Sequence, residues 1–311
     1  MQDQDRIIII GSGHVGATTA YALMLRALFR EIILIDRDEA LAEAEAMDIS
    51  DAGVLARPTH VRSGNFADAA SARIAVLTAG AATHGSESRL SVTARSADIV
   101  QSCIRDLVAA GFDGLLIVAA NSVDLMAWVA KDVSGFPGHR VIGTGTLLDS
   151  SRLQQTIAAR LNVAASSVDA LMIGEHGDSS VAALSIARIG GVALESIEAG
   201  TRPNAADLAE EVRGAAYKII EGKGYTSFGV ATAIVRICEA IVRDEHAVVP
   251  VSTLLTGQYG ITDLYLSLPC ILGETGVERV LTPHLSQSET AALIASANML
   301  RTAKHALDRG A

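Results

Sequence analysis

The stretch Arg6-Ile7-Ile8-Ile9-Ile10-Gly11-Ser12-Gly13-His14-Val15-Gly16 decides the fold. Four consecutive isoleucines offer no polar face to water, so the run predicts a strand buried on both sides, as in a parallel sheet. The glycines follow at once, and residues 17–29 then read as a helix. A lone G-x-G-x-x-G is weak evidence, but between a buried strand and a helix each glycine has a task. Gly11 permits the tight turn, Gly13 lets a pyrophosphate approach the backbone, and Gly16 lets helix and strand pack closely. The free amides and dipole of the helix N-terminus then receive the phosphates.

Working outward, Glu31-Ile32-Ile33-Leu34-Ile35-Asp36 is a second strand, ending in an acid 20 positions after Gly16. An acid there can accept both ribose hydroxyls of an adenosine and repels a 2′-phosphate, which favours NAD over NADP. Arg37 beside it softens that repulsion. Further strands are expected at residues 73–79, 115–120 and 141–143, with helices at 39–50 and from Arg89 to about residue 110. Strand and helix in alternation predict an α/β protein with a doubly wound parallel (Rossmann) sheet, whose C-terminal edge binds the ligand. That edge collects Gly11, Gly13, Val15, Gly16, Asp36, Gly80 and Asn121 as candidate cofactor contacts.

The remaining bounds come from composition. A chain of 311 residues with a formal charge of −10 has no basic excess with which to meet nucleic-acid phosphates. No segment approaches the roughly 20 apolar residues of a membrane helix, and the polar opening Met1-Gln2-Asp3-Gln4-Asp5-Arg6 does not resemble a signal peptide. The three cysteines, Cys103, Cys238 and Cys270, match no metal or disulfide spacing. A cytoplasmic protein without metal, nucleic-acid or membrane partners is expected.

The second half reads as an α+β substrate domain, with the division at residues 1–143 and 144–311. Asp149 and Arg152 are three apart and share one face of a helix opening near Leu147. Gly174-Glu175-His176-Gly177-Asp178 follows the apolar run Ala170-Leu171-Met172-Ile173 and holds one histidine among glycines and acids. A strand is expected at residues 181–188, helices at 207–221, 226–243 and 288–309, and antiparallel strands around 264–270. An isolated histidine in a glycine-rich turn is more often structural, but the company of this one argues otherwise. A nicotinamide cofactor moves hydride, so the chain must supply proton transfer and substrate positioning. His176 can give and take a proton near neutrality, and Asp149 can fix its tautomer. Arg152 can grip a carboxylate by two parallel hydrogen bonds, and Arg89, on a loop, can close over the substrate. Together they suit a 2-hydroxy acid beside a nicotinamide.

The same motifs carry a resemblance to the L-lactate/malate dehydrogenase family, running essentially end to end. It rests on Gly11 to Gly16, Leu34-Ile35-Asp36, Glu45-Ala46-Met47-Asp48, Gly80 with Glu87-Ser88-Arg89-Leu90, Gly143-Thr144-Gly145-Thr146 with Leu148-Asp149, Arg152, Gly174 to Asp178, and Lys223-Gly224-Tyr225-Thr226-Ser227. The resemblance implies His176 as acid/base, Asp149 as its partner, Arg152 on the substrate carboxylate and Arg89 as the lid arginine. It further implies Asn121 on the substrate oxygen, Thr226 in the pocket for the substrate side chain, NAD as cofactor, and a homodimer or homotetramer.

Substrate choice is where the chain departs from the family. The lid position that reads the substrate tail, glutamine for pyruvate and arginine for oxaloacetate, aligns with Thr83. Threonine carries no charge for a second carboxylate and leaves more room than glutamine. The expectation is therefore an L-lactate-type 2-hydroxy acid dehydrogenase, with an L-2-hydroxyisocaproate-type enzyme for larger apolar acids as the alternative. A malate dehydrogenase, a silent NAD-binding sensor and an NAD-dependent glycosidase rank below. The family's proline after Asn121 is Ser122 here; a cis bond to a residue other than proline costs about 2.5–4 kcal/mol, so a trans bond is expected. The positions that bind fructose 1,6-bisphosphate in allosteric relatives align with Gln154 and Asp169, which predicts no activation by that sugar.

Overall fold

The computed structural model describes residues 5–81, 89–197 and 205–310. In chain order these form β1 (Arg6–Ile10), α1 (His14–Arg26), β2 (Glu31–Ile35), α2 (Glu39–Leu55), β3 (His60–Ser63), β4 (Ile74–Leu77), α3 (Arg89–Ala109), β5 (Leu115–Val118), α4 (Val123–Ser134) and β6 (Val141–Gly143). The second half continues with α5 (Leu147–Leu161), five two-residue strands, α6 (Ala205–Lys223), α7 (Phe228–Val242), three long strands and α8 (Gln287–Gly310). The short strands are β7 (Val168–Asp169), β8 (Met172–Ile173), β9 (Val181–Ala182), β10 (Arg188–Ile189) and β11 (Val192–Ala193); the long ones are β12 (Ala247–Thr256), β13 (Thr262–Gly273) and β14 (Gly276–Val280).

The parallel strands run in the order β3-β2-β1-β4-β5-β6, the doubly wound order, with its switch point between β1 and β4. Ile7, Ile8 and Ile9 of β1 and Ile32, Ile33 and Leu34 of β2 are wholly buried, as their apolar runs require of a sheet covered on both faces. Even-numbered β1 residues pack with α3 and α4 on one side, and odd-numbered ones with α1 and α7 on the other. α1 stops earlier than its composition suggests. Ala27 turns left-handed at φ 49 and its N–H donates back to the carbonyls of Leu23 and Met24, which turns Leu28 and Phe29 into the core.

The sheet does not end with the first half. β12, β13 and β14 extend it antiparallel to nine strands, so α5 to α7 and the short strands are attached to a sheet that both halves build. The joint is a single register pair, Ser252 with Gly143. A Cβ on Gly143 would lie 2.8 Å from both Ser252 Cβ and Val123 Cγ1, so only glycine allows the approach.

Two expectations fail here. The strand expected over residues 181–188 is two short strands separated by a 3-10 turn at Leu184–Ile186. Within it the Ser185 N–H donates at 2.9 Å to a carboxylate oxygen of Glu289 on α8, not to a neighbouring strand. The Asn121–Ser122 bond is cis, where a trans bond was expected. That expectation weighed the bond in isolation. In the folded chain it joins the end of β5 to the first turn of α4, where the Met126 N–H donates to the Ser122 carbonyl at 2.8 Å.

Candidate active site

Two clusters lie at the C-terminal edge of the sheet. In the first, Gly11 takes φ +104, and a Cβ there would sit 2.7 Å from the Ala79 nitrogen. A Cβ on Gly16 would lie 1.8 Å from the Gly11 carbonyl oxygen, so close helix–strand packing at this turn demands glycine. A Cβ on Gly13 would meet nothing within 4 Å, which leaves open room above the backbone where a pyrophosphate would lie. Beyond Gly13, α1 begins with no side-chain cap and no acidic residue in its first turn, so its leading amides are free to meet an anion. Asp36 stands at the end of β2 and accepts the Ser12 N–H at 2.6 Å and the Asp38 N–H at 3.0 Å, which aims its carboxylate across the glycine loop. Val15 is partly buried behind the loop, while Gly80 is exposed at the end of β4. These features fit a dinucleotide.

The second cluster is centred on His176. Its Nδ1 donates to Asp149 Oδ2 at 2.6 Å, and Asp149 Oδ1 accepts from Arg152 Nη1 at 3.0 Å. Asp149 and Arg152 sit on one face of α5, as their spacing predicts, with side chains only 10% and 15% exposed. The helix is fastened to the strand that leads to His176. Thr146 Oγ1 donates to the Met172 carbonyl at 2.6 Å, and the Met172 N–H donates to Ser150 Oγ at 2.9 Å. Glycine at 174, at φ +89, ends β8, and residue 174 exchanges two 2.9 Å backbone bonds with Ser267 of β13. The next N–H, of Glu175, donates to Ser296 Oγ of α8 at 3.1 Å. The next again, of His176 itself, donates to Asp124 Oδ2 at 2.8 Å.

Asp124 is a site residue that the sequence reading missed. It lies in the first turn of α4, is 1% exposed, and its other oxygen accepts from Ser252 Oγ at 2.5 Å. Burial pushes its carboxyl up to about 6, against the hydrogen bonds from Ser252 and the His176 N–H, which favour the charged form. The one sequence signal was an acid inside the apolar run Val123-Asp124-Leu125-Met126-Ala127.

Two carboxylates thus flank the histidine, Asp149 from α5 and Asp124 from α4. Burial by itself would lower the His176 imidazolium, but the hydrogen bond and charge of Asp149, with the charge of Asp124, hold it above its ordinary value. Burial would likewise raise Asp149; the bond to His176 and the charges of His176 and Arg152 hold it below the usual carboxylate range. The pair is therefore poised as imidazolium and carboxylate. Because Nδ1 is committed to Asp149, Nε2 is the nitrogen left to exchange a proton.

Of the other candidates, Asn121 is exposed at the end of β5, three residues before Asp124. Thr226 is half-buried in the link between α6 and α7. The first turn of α7 lies close against that of α5: a Cβ on Gly229 would be 2.8 Å from Leu148 Cδ1. Arg89 begins α3, and Thr83 lies outside the described residues. No helix among the described residues is long and apolar enough to cross a membrane.

Residues 5–143 match the model of the lactate/malate dehydrogenase NAD-binding domain, and residues 146–308 that of the lactate/malate dehydrogenase α/β C-terminal domain. An L-lactate dehydrogenase of Clostridium botulinum (strain 657 / Type Ba4) is 41% identical over 303 residues, 95% of each chain. L-lactate dehydrogenase 2 of Lactiplantibacillus plantarum is 39% identical over 288 residues, 93% of each. The crystal structure of minor L-lactate dehydrogenase from Enterococcus mundtii in its ligand-bound form superposes with a TM-score of 0.94 at 35% identity, covering 98% of both chains. With a nucleotide loop that fits NAD, a histidine–aspartate pair in the second half and relatives matching almost end to end, the chain belongs to the lactate/malate dehydrogenase family.

Proposed function

We propose that this protein is an NAD-dependent L-2-hydroxy acid dehydrogenase of the L-lactate type. It interconverts a small 2-oxo acid and its L-2-hydroxy acid, residues 1–143 holding the cofactor and residues 144–311 the substrate. The observation that carries the reading is the chain of contacts from His176 Nδ1 through the two oxygens of Asp149 to Arg152 Nη1, at 2.6 and 3.0 Å. It joins a proton donor, its orienting carboxylate and a guanidinium with further N–H groups to offer.

When bound, NADH supplies the hydride for the carbonyl carbon. His176, protonated, delivers its Nε2 proton to the carbonyl oxygen as that oxygen becomes an alkoxide; in the reverse direction neutral Nε2 takes the hydroxyl proton. Asp149 holds Nδ1–H and stabilises the imidazolium. Arg152 pairs the substrate carboxylate through N–H groups not spent on Asp149, which fixes which face of the carbonyl is presented. In this reading Arg89 closes over the substrate and polarises the carbonyl, Asn121 donates to the same oxygen, and Thr226 and Thr83 bound the pocket for the tail. Gly11, Gly13, Val15, Gly16, Asp36, Gly80 and Asn121 line the cofactor side. The working protein is a cytoplasmic homodimer or homotetramer.

The test is NADH oxidation by the purified protein against pyruvate, 2-oxoisocaproate, phenylpyruvate and oxaloacetate, compared by kcat/KM. Pyruvate is expected to lead; a lead by the larger acids identifies an open pocket at Thr83. Oxaloacetate as best substrate, or no turnover of any, overturns the proposal. His176→Asn should cost about 10²–10⁴-fold in kcat, the usual worth of a general acid/base.

A further inference from the structure

The imidazole of His14 has no task in the reading above. It is exposed at the first position of α1, between Gly13 and Val15 of the nucleotide loop. Its ring lies face to face on the ring of Tyr225, with centroids 3.7 Å apart and planes 11° from parallel. Tyr225 immediately precedes Thr226 in the link between α6 and α7. That link is also gripped from its two ends. The ammonium of Lys223, the last residue of α6, lies 4.3 Å from the Tyr225 ring and 4.3 Å from the ring of Phe228, the first residue of α7. Lysine over two aromatic faces is an attractive arrangement in its own right. The link begins with Gly224 at φ +87, whose N–H donates to the Ile220 carbonyl at 2.8 Å, and the aromatic and ammonium contacts add to that hold.

We infer that the His14–Tyr225 stack is a positioning clasp, which fastens the substrate-pocket link at Thr226 to the nucleotide loop. The inference rests on the proposal that Thr226 lines the pocket. The two segments belong to different halves of the chain and are 211 positions apart in sequence, yet His14 and Thr226 are separated by one stacked ring pair and one peptide unit. Anything that firms the loop between Gly11 and Gly16, a bound pyrophosphate above all, firms the plane on which Tyr225 rests. Pocket geometry is then set from the cofactor side, with no contact between His14 and substrate. His14 and Tyr225 are positioning residues, neither touching the reacting atoms.

The test is a cycle of His14→Ala, Tyr225→Ala and the double variant, with His14→Phe and Tyr225→Phe as variants that keep a ring. NADH affinity is read by fluorescence titration, KM and kcat with the 2-oxo acid that the wild type reduces best, and Tm by thermal melting. Each alanine variant should raise KM about 2–12-fold, the ordinary worth of one aromatic pair. kcat and the NADH Kd should stay within about twofold of wild type, because the amides of the loop remain. The double variant should be no worse than the worse single one, and the phenylalanine variants should restore KM. Additive effects in the cycle, or an unmoved KM in both alanine variants, overturn the clasp. A wild type that turns over no 2-oxo acid overturns the functional proposal instead, and the Tm cycle then still decides whether the rings are coupled.

Discussion

Replacing Asp149 by asparagine keeps the shape of the side chain and removes its charge. Asp149 accepts from His176 Nδ1 through one oxygen and from Arg152 Nη1 through the other, and its side chain is 10% exposed, so water does little to screen either contact. Asparagine has one accepting oxygen, and the imidazolium loses its counter-charge whichever way the amide turns. A hydrogen bond to a charged group contributes about 1.5–3 kcal/mol, so kcat/KM for 2-oxo acid reduction should fall about 10–150-fold. Reduction requires protonated His176, so kcat/KM falls as pH rises through the histidine value. In the wild type that limb lies above the ordinary 6.5; in Asp149→Asn it should move toward acid. Stability carries the same signature. Asp149 contributes fully above its ordinary 3.8 and loses that contribution as pH falls through its lowered folded value. His176 contributes fully below 6.5 and loses it as pH rises through its raised folded value. The Tm advantage of wild type over the variant should therefore be largest between 3.8 and 6.5 and shrink on both sides. NADH affinity is the control, since α5 makes none of the contacts that hold the nucleotide loop. A variant with kcat/KM within threefold of wild type and an unmoved alkaline limb would refute the pairing as the basis of proton transfer.

Two glycines of the nucleotide loop should respond in opposite ways. Gly16→Ala places a methyl 1.8 Å from the Gly11 carbonyl and should destroy NADH binding together with stability, whereas Gly13→Ala, which meets nothing within 4 Å, should melt like the wild type and lose NADH affinity alone. A Gly16→Ala protein that titrates NADH normally contradicts the packing argument. Asp124→Asn tests the buried acid beneath His176. Its raised folded value means that its contribution to stability is complete below 3.8 and is lost as pH rises through about 6, so the Tm of the variant relative to wild type should climb between 3.8 and about 6 and level off above. A pH-independent difference would show that Asp124 does not titrate there. Fructose 1,6-bisphosphate should leave the half-saturating 2-oxo acid concentration unchanged, because Gln154 Nε2 is engaged with the Ala170 carbonyl at 3.1 Å and Asp169 is an exposed acid. A large drop on adding the sugar would show a phosphate site that these residues do not supply.

What could be read from the sequence is what local periodicity and local sterics specify. β1 spans Arg6–Ile10, as its apolar run predicts, and the three glycines meet the atoms, or the open space, that their tasks require. Asp149 and Arg152 share a helix face because three residues is nearly one turn. What escaped depends on partners far away in the chain. β12 carries Pro250 in its middle, which argues against a strand, yet Pro250 lies opposite Pro269 of β13 in a ladder of ten pairs. The edge that joins both halves into one sheet depends on a single glycine, Gly143, whose partner Ser252 is over a hundred residues on.

The active-site motif divides along the same line. That a histidine is present among glycines can be seen in five letters, but its orientation cannot. His176 is held by successive N–H groups of its loop, which donate to β13, α8 and α4 in turn. The last of these acceptors, Asp124, is itself held by Ser252, which pairs with Gly143 at the joint of the sheet. The imidazole is therefore positioned by the same contact that unites the two halves. A substitution at Gly143 should accordingly reach His176 through Ser252 and Asp124, although it lies in neither cluster.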